Sequence, residues 1–386
     1  MRKICVFTGT RSDYGLLKPL LTAINEDKNL KLQLVVSGTH LSPEFGLTYR
    51  EIEEDGFQVS EKIEMILSSD TSTGVAKSTG IGIIGFSDTI NRFKPDISIV
   101  LGDRFEEFAF VYTSFINKVP VVHISGGEIT EGALDDSLRH AMTKLSHIHL
   151  VATEEYKKRV IQMGEEPWRV HNVGEIGLIG MKKDLMTKEE FEKSINFKLN
   201  KKNILVTYHP ETLNVDKIKN DFKEILSALS KLTETNIIFT KSNADEGGRI
   251  INQMIDEFVK SRDNCIAFTS LGRKRYLSGL QFIDIVLGNS SSGLVEVPSF
   301  KKTTINIGNR QKGRVKAKSV IDVKPDKNEI LKAIDLTYST SFQNMLKNVQ
   351  NPYEKEDTLP YILNLLKTVD LEKLIIKKFY DIKFEL

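Results

Sequence analysis

Ile4-Cys5-Val6-Phe7-Thr8-Gly9-Thr10-Arg11-Ser12-Asp13-Tyr14 reads as a buried strand, Ile4–Thr8, running directly into a polar turn. β-Branched and aromatic side chains fill the strand, while the turn carries a cation, Arg11, that chain reversal alone does not require. The same unit recurs along the chain. Further strands are expected at Leu32–Ser37, Ile97–Leu101, Val119–Ile124 and Ile148–Ala152. A second set follows at Ile204–Tyr208, Asn236–Phe239, Cys265–Phe268, Asp284–Leu287 and Thr303–Ile307. Amphipathic helical stretches separate them, the alternation of an α/β protein with parallel sheets. A polar Lys- and Glu-rich stretch, Lys182–Lys202, reads as a linker plus the opening of a second domain. From Pro360 onward a helix is expected, followed by a Lys-rich and aromatic end.

Polar clusters follow strand after strand. In the first half they are Gly9–Tyr14, Gly38-Thr39-His40, Gly102-Asp103-Arg104 and Ser125-Gly126-Gly127-Glu128. In the second they are His209-Pro210-Glu211, Lys241-Ser242-Asn243, Asn289-Ser290-Ser291-Ser292 and Asn309-Arg310. Open α/β sheets bind ligands outside the carboxyl ends of their strands, so these loops are expected to gather at one edge of each sheet. Two such edges facing each other would form a cleft. Turn chemistry alone accounts for the Gly, Ser, Asn and Asp members, but not for the Arg, His and Glu.

Size and charge bound the rest. At roughly 100–200 residues per domain, 386 residues make two domains the expectation. With 54 Lys and Arg against 52 Asp and Glu, the net charge of +2 gives no general attraction to nucleic acid or a membrane surface. Cys5 and Cys265 form neither a disulfide framework nor a metal-spacing motif. The apolar start is too short for a secretory signal, and no run approaches the ~18–20 residues of a membrane span. A soluble, cytoplasmic protein is therefore expected.

Three motifs resemble chemistry without its context. Gly80-Ile81-Gly82-Ile83-Ile84-Gly85 matches the dinucleotide fingerprint, but Ser68–Ser78 before it is polar and turn-like where that fingerprint needs a strand. An amphipathic helix packed on the sheet is the better reading. His147 and His149 have no third ligand nearby and read as structural; no metal site is expected. Asn289-Ser290-Ser291 is a glycosylation sequon only in a secretory compartment.

Other residues have a physical case. Asn289 to Glu296 reads as strand, Ser-rich turn, then helix start, a seat for a diphosphate built from hydroxyls and backbone N–H groups. Glu296 is placed to accept hydrogen bonds from a ribose diol, or else serves as a cap. Of the basic run Arg310, Lys312, Arg314, Lys316 and Lys318, only Arg310 directly follows a strand. Arg11 is the matching cation of the first half, with a fork suited to phosphate. The acidic candidates are Asp103, Glu128 and Asp135. Asp135–Arg139 and Asp136–His140 each repeat the i, i+4 spacing of a helix-stabilising pair. Carboxylates held at different pKa values are what proton removal at one sugar carbon and protonation of its neighbour require.

Taken together, Phe7–Gly15, Ser37–Leu41, Leu101–Phe105, Asp135–His140, Tyr208–Thr212, Ser242–Asp245, Gly288–Pro298 and Gly308–Arg314 resemble the UDP-N-acetylglucosamine 2-epimerases. The match extends to Lys378-Phe379-Tyr380-Asp381 and is nearest the hydrolysing branch that feeds bacterial sialic-type acid synthesis. The resemblance implies an α/β fold of the glycosyltransferase-B type. Residues 1–178 and 179–360 would form two Rossmann-like domains, with 361–386 a helix and tail returning to the first. It implies elimination of UDP to a 2-acetamidoglucal, then hydration with inversion at carbon 2, releasing N-acetylmannosamine without a cofactor. It assigns catalysis to Asp103 and Asp135, and nucleotide contacts to Arg11, Tyr14, His209, Ser290, Ser291, Glu296 and Arg310. His40, Arg104 and Arg139 would line the sugar pocket. A homodimer or homotetramer is also implied.

Two positions depart from the family pattern. Ser125 stands where many relatives carry a catalytic Glu, which leaves Glu128 to supply that carboxylate, and Ile179 replaces an acidic residue. A 2-epimerase acting on UDP-2,4-diacetamido-2,4,6-trideoxyglucose, a glycosyltransferase and an inactive nucleotide-sugar-binding protein are the alternatives.

Overall fold

The computed structural model describes residues 1–69, 71–130, 134–211, 215–242 and 247–383. Asp70 of the Ser68–Ser78 stretch, Thr212 of the Tyr208–Thr212 motif, and Asn243, Ala244 and Asp245 lie outside the described residues. The chain forms two compact units, one of Met1–Ile179 with the segment from Lys355, the other of Gly180–Glu354.

The first unit holds seven parallel strands: β1 (Arg2–Thr8), β2 (Leu30–Ser37), β3 (Val59–Ile63), β4 (Ile97–Leu101), β5 (Val121–Ile124), β6 (Ile148–Val151) and β7 (Val170–Asn172). Their order is β3-β2-β1-β4-β5-β6-β7. The second unit repeats the plan with β8 (Lys202–Thr207), β9 (Thr235–Thr240), β10 (Cys265–Phe268), β11 (Ile285–Gly288), β12 (Thr303–Ile307) and β13 (Val320–Val323). Its order is β10-β9-β8-β11-β12-β13. Each is therefore Rossmann-like, as the resemblance implies. The direction of strand addition reverses between β1 and β4, and again between β8 and β11. Loops leaving those strand pairs diverge to opposite faces and open a crevice at the carboxyl edge.

Alternation along β1 explains the layering. Ile4 and Val6 join a core on one face with Leu17, Leu20 and Ile24, while Cys5 and Phe7 join Phe86, Val100 and Phe110 on the other. A sheet buried on both faces needs near-continuous apolar strands, which is what β1, β4 and β5 supply. Three strands escape the sequence reading, and all are edges. β3 (Val-Ser-Glu-Lys-Ile) and β13 (Val-Ile-Asp-Val) each expose one or more polar side chains, and β7 has three residues. An edge strand packs on fewer neighbours and tolerates charge.

The fingerprint-like glycines lie inside a helix, Ser72–Phe93. It starts earlier than the polar composition of Ser68–Ser78 implied, because Thr71 caps it by accepting from the Gly74 N–H at 3.1 Å. A Cβ on Gly82 would stand 2.7 Å from Met65 Cε, so that glycine lets the helix approach the segment after β3. His147 accepts from the Val121 N–H at 3.1 Å, and His149 pairs with buried Glu165 at 2.9 Å. Both rings hold structure together.

Helices Thr358–Thr368 and Leu371–Ile375 place Ile362, Leu366 and Leu374 in the first unit's core. Arg2 donates to the Leu366 carbonyl at 2.8 Å, and Lys367 pairs with Asp27 at 2.8 Å. Ile179 packs against that same core, an apolar contact that accounts for its side chain. Among the described residues no helix is long and apolar enough to cross a membrane.

Candidate active site

In the first unit, four of the expected residues come together around the end of β4. Asp103 is the second residue beyond that strand, and Arg139 of the helix Leu134–Leu145 donates from Nη2 to its Oδ2. Burial raises the Asp103 pKa above the ordinary carboxylate range. The Arg139 charge opposes this, while the charges of Asp135 and Glu128 add to it. Arg139 is itself buried, and its Nη1 reaches Thr130 Oγ1 at 3.3 Å. Asp136, by contrast, accepts from the Thr130 N–H at 2.6 Å and faces His140 at 3.6 Å. It anchors the loop, which leaves Asp135 as the carboxylate facing Asp103.

The turn after β5 sets Glu128. Ser125 adopts φ +66°, unusual for a residue with a Cβ, and its N–H donates to the Leu150 carbonyl at 3.1 Å. Beneath it His123 is buried and donates from Nε2 to the Gly102 carbonyl at 2.8 Å, pinning the residue before Asp103. Burial lowers the His123 pKa to about 3, so its ring stays neutral.

Loops after β1 and β2 form the other side of this crevice. Gly38, at φ +61°, lies so close to Gly9 that a Cβ would meet the Gly9 carbonyl. His40 is fully buried, 3.0 Å from Thr8 Oγ1 and 2.8 Å from Thr48 Oγ1, and burial lowers its pKa to about 4. Arg104 lies against Glu106 with contacts of 3.3 and 3.2 Å. Asp13 and Glu107 are raised by burial, Glu107 strongly, and the Asp13 charge adds to the rise at Glu107. This acidic group beside Arg104 was not anticipated.

Arg11 and Tyr14 lie on the helix that follows β1, Arg11–Glu26. Arg11 is exposed and pairs with Glu51 at 2.9 Å. Tyr14 is a core residue whose hydroxyl donates to Asp55 at 2.6 Å and whose ring stands edge-on to His40, centroids 6.4 Å apart.

In the second unit, the loops after β8, β11 and β12 are tied into one surface. The His209 N–H donates to Asn289 Oδ1, and Asn289 Nδ2 donates back to the His209 carbonyl, both at 2.8 Å. Ser242 Oγ stands 3.3 Å from His209 Nδ1. Glu211 accepts from the Asn309 N–H at 3.0 Å, the Arg310 N–H at 3.1 Å and Asn289 Nδ2 at 3.2 Å. Arg310 and Gln311 both donate to the Asn289 carbonyl, at 3.1 and 2.9 Å. His209, Ser290, Ser291 and Arg310 therefore share one edge. Glu211 and Asn289, outside the expected contacts, do the joining, although both sit within the polar clusters that follow strands.

One expectation changes here. The helix after the Ser-rich turn, Ser292–Val295, is a single turn that passes into a 3₁₀ segment, Val297–Phe300. Pro298 has no N–H to donate to the Leu294 carbonyl, so the α-helix cannot continue and little macrodipole develops. Any anion there would rely on the hydroxyls and N–H groups of the turn itself. Glu296 is half-buried, bonded to Ser292, and burial raises its pKa.

A family model described as UDP-N-acetylglucosamine 2-epimerase matches residues 22–367. The chain is 41% identical over 384 residues to a GDP/UDP-N,N'-diacetylbacillosamine 2-epimerase (hydrolyzing) of Campylobacter jejuni, covering 99% of each. It is 37% identical over 385 residues to the polysialic acid biosynthesis protein P7 of Escherichia coli, covering 99% of this chain and 98% of that one. A crystal structure of a Neisseria meningitidis UDP-GlcNAc 2-epimerase bound to UDP-GlcNAc shares the fold, with a TM-score of 0.81 and 20% identity over 95% of this chain and 99% of that one.

Proposed function

The chain belongs to the UDP-N-acetylglucosamine 2-epimerase family, and from that premise we propose which groups of this hydrolysing UDP-sugar 2-epimerase act on its substrate. The observation that carries the reading is the cluster of Asp103, Glu128, Asp135 and Arg139 at the carboxyl edge of the first sheet.

The reaction removes the proton from carbon 2 as the carbon 1–oxygen bond to UDP breaks. Water then adds across the resulting double bond, hydroxyl to carbon 1 and proton to the opposite face of carbon 2. The products are UDP and the free 2-epimeric sugar. No carbonyl activates carbon 2, so departure of UDP leads through an oxocarbenium-like state, and stabilising the diphosphate is a main catalytic contribution. Arg310, His209 and the Ser290–Ser291 turn supply those donors. Asp103, whose pKa burial raises, holds the proton delivered to carbon 2. Asp135 and Glu128 are the carboxylates left to take one up, Glu128 standing in for the acid absent at Ser125.

For the sugar, similarity to the Campylobacter jejuni enzyme favours N,N'-diacetylbacillosamine, a 2,4-diacetamido-2,4,6-trideoxyglucose, carried on UDP. A second reading, UDP-N-acetylglucosamine giving N-acetylmannosamine for sialic acid synthesis, is supported by similarity to the polysialic acid biosynthesis protein. Incubation with each sugar, on UDP and on GDP, followed by proton NMR in heavy water separates them. Free sugar carrying deuterium at carbon 2 is the expected product. An intact epimerised nucleotide sugar, or turnover only with an added acceptor, would overturn the reading.

A further inference from the structure

The helix Leu134–Leu145 bears Asp135 and Arg139 in its first turns. Its far end is held by a residue more than two hundred positions away. Lys377 Nζ donates to the carbonyls of Lys144 at 2.7 Å and Ser146 at 2.6 Å, and to Glu165 Oε1 at 3.0 Å. Carbonyls at a helix C-terminus have no partner within the helix, and a cation there also complements the macrodipole.

The surroundings hold Lys377 in place. Glu165 is buried and also takes Lys144 Nζ at 2.6 Å and His149 Nε2 at 2.9 Å. Arg169, 1% exposed, donates to the carbonyls of Leu374 at 3.0 Å and Ile376 at 2.8 Å, fixing the chain just before Lys377. The Tyr380 N–H donates to the Gly164 carbonyl at 2.9 Å and fixes the chain just after it.

We propose that Lys377 is a positioning residue for the reaction, clamping one end of the helix Leu134–Leu145 so that Asp135 and Arg139 at the other end meet Asp103 in register. A helix is stiff over three turns, so a shift at Leu145 is carried to Arg139 and its bond to Asp103. An apolar side chain there would leave Glu165 and the two carbonyls short of a partner and so cost stability as well, which is why kcat and its pH profile, rather than stability, separate the two roles. The charged groups facing Lys377 are Glu165, Lys144 and Arg169, and the titratable rings of His147 and His149, whose pKa values burial lowers, complete its surroundings. Burial lowers the Lys377 pKa to about 8, against the pull of Glu165, so the clamp is charged at neutral pH and loses its charge above that value.

The proposal rests on assigning Asp135 and Arg139 to the reacting sugar. It is tested with Lys377→Met and Lys377→Arg in the full chain. In Lys377→Met, kcat is expected to fall about ten- to a hundredfold, the cost of a small misplacement of reacting groups, with UDP affinity unchanged. Lys377→Arg restores kcat at pH 7 and moves the alkaline decline upward, since guanidinium does not titrate there. Retention of full kcat by Lys377→Met, or an alkaline limb in Lys377→Arg that superimposes on the native one, overturns the clamp. Should Lys377→Met fail to fold, the two alkaline limbs decide alone. Native turnover in Asp135→Asn would instead remove the site assignment beneath the proposal.

Discussion

Arg139 donates to Asp103, so the carboxylate beyond the end of β4 is locked to a cation on a separate helix, with both groups largely out of solvent. The bond fixes the direction of the carboxylate, and it also opposes the protonation that burial promotes. Orientation and acidity at Asp103 are thus set by one partner, and they are separable by mutation.

Replacing Asp103 by Asn keeps the shape and removes the titratable group. Turnover is expected to fall by about 10²–10⁴, the usual worth of a positioned acid or base, while UDP binds as before. Steady-state rates with calorimetric UDP titration check both halves, and collapse of UDP binding would make Asp103 structural.

Removing the cation shifts acidity in a known direction. In Arg139→Met the ionised form of Asp103 loses its stabilising charge, so its pKa rises further. The limb of kcat/KM on which activity falls as Asp103 gives up its proton should move to higher pH. A limb that stays in place, or moves to lower pH, contradicts the assignment.

Glu211 offers a test confined to the second unit. Gly308 has φ +82°, and a Cβ there would sit within 2.8 Å of the Glu211 carboxylate that holds the Asn309 and Arg310 N–H groups. Gly308→Ala should cost about 1–3 kcal/mol of stability through the strained backbone. It should also weaken UDP binding, in company with Arg310→Ala, whose loss of affinity is expected to shrink at high salt. Equilibrium denaturation and UDP titration at two ionic strengths measure these effects.

His40 should be silent in the physiological range. Its folded pKa of about 4 lies below the ordinary 6.5, so the unfolded chain binds the proton more readily. Its contribution to stability is full above about pH 6.5 and is lost as pH falls toward 4. Imidazole NMR should show no His40 titration between pH 6 and 8, and a midpoint near 6.5 would refute its burial.

The central strands were legible because burial on both faces demands apolar runs, as Ile97–Leu101 and Ile204–Thr207 display. β3 and β13 were not, since an edge strand such as Val-Ser-Glu-Lys-Ile need not be apolar. The ends of strands marked Asp103, His209 and Arg310 correctly as loop-edge residues. The core position of Tyr14 was hidden because its partner, Asp55, lies 41 residues away. Glu211 was seen as part of a cluster, but its bonds to Asn309 and Arg310 span 98 and 99 residues and leave no local trace. The one-turn helix at Ser292 did have a local signal, Pro298, whose missing N–H stops the α-helical ladder.

The return of the chain to the first unit at Lys355 has a consequence during synthesis. Residues 180–354 leave the ribosome as one uninterrupted unit and can complete their core at once. The first unit begins earlier yet finishes later, because Ile362, Leu366 and Leu374 must still emerge to cover its Leu17–Leu20 face. Until then that apolar face is open to chaperones or to neighbouring chains, so the half of the protein made first is the half most exposed to misfolding.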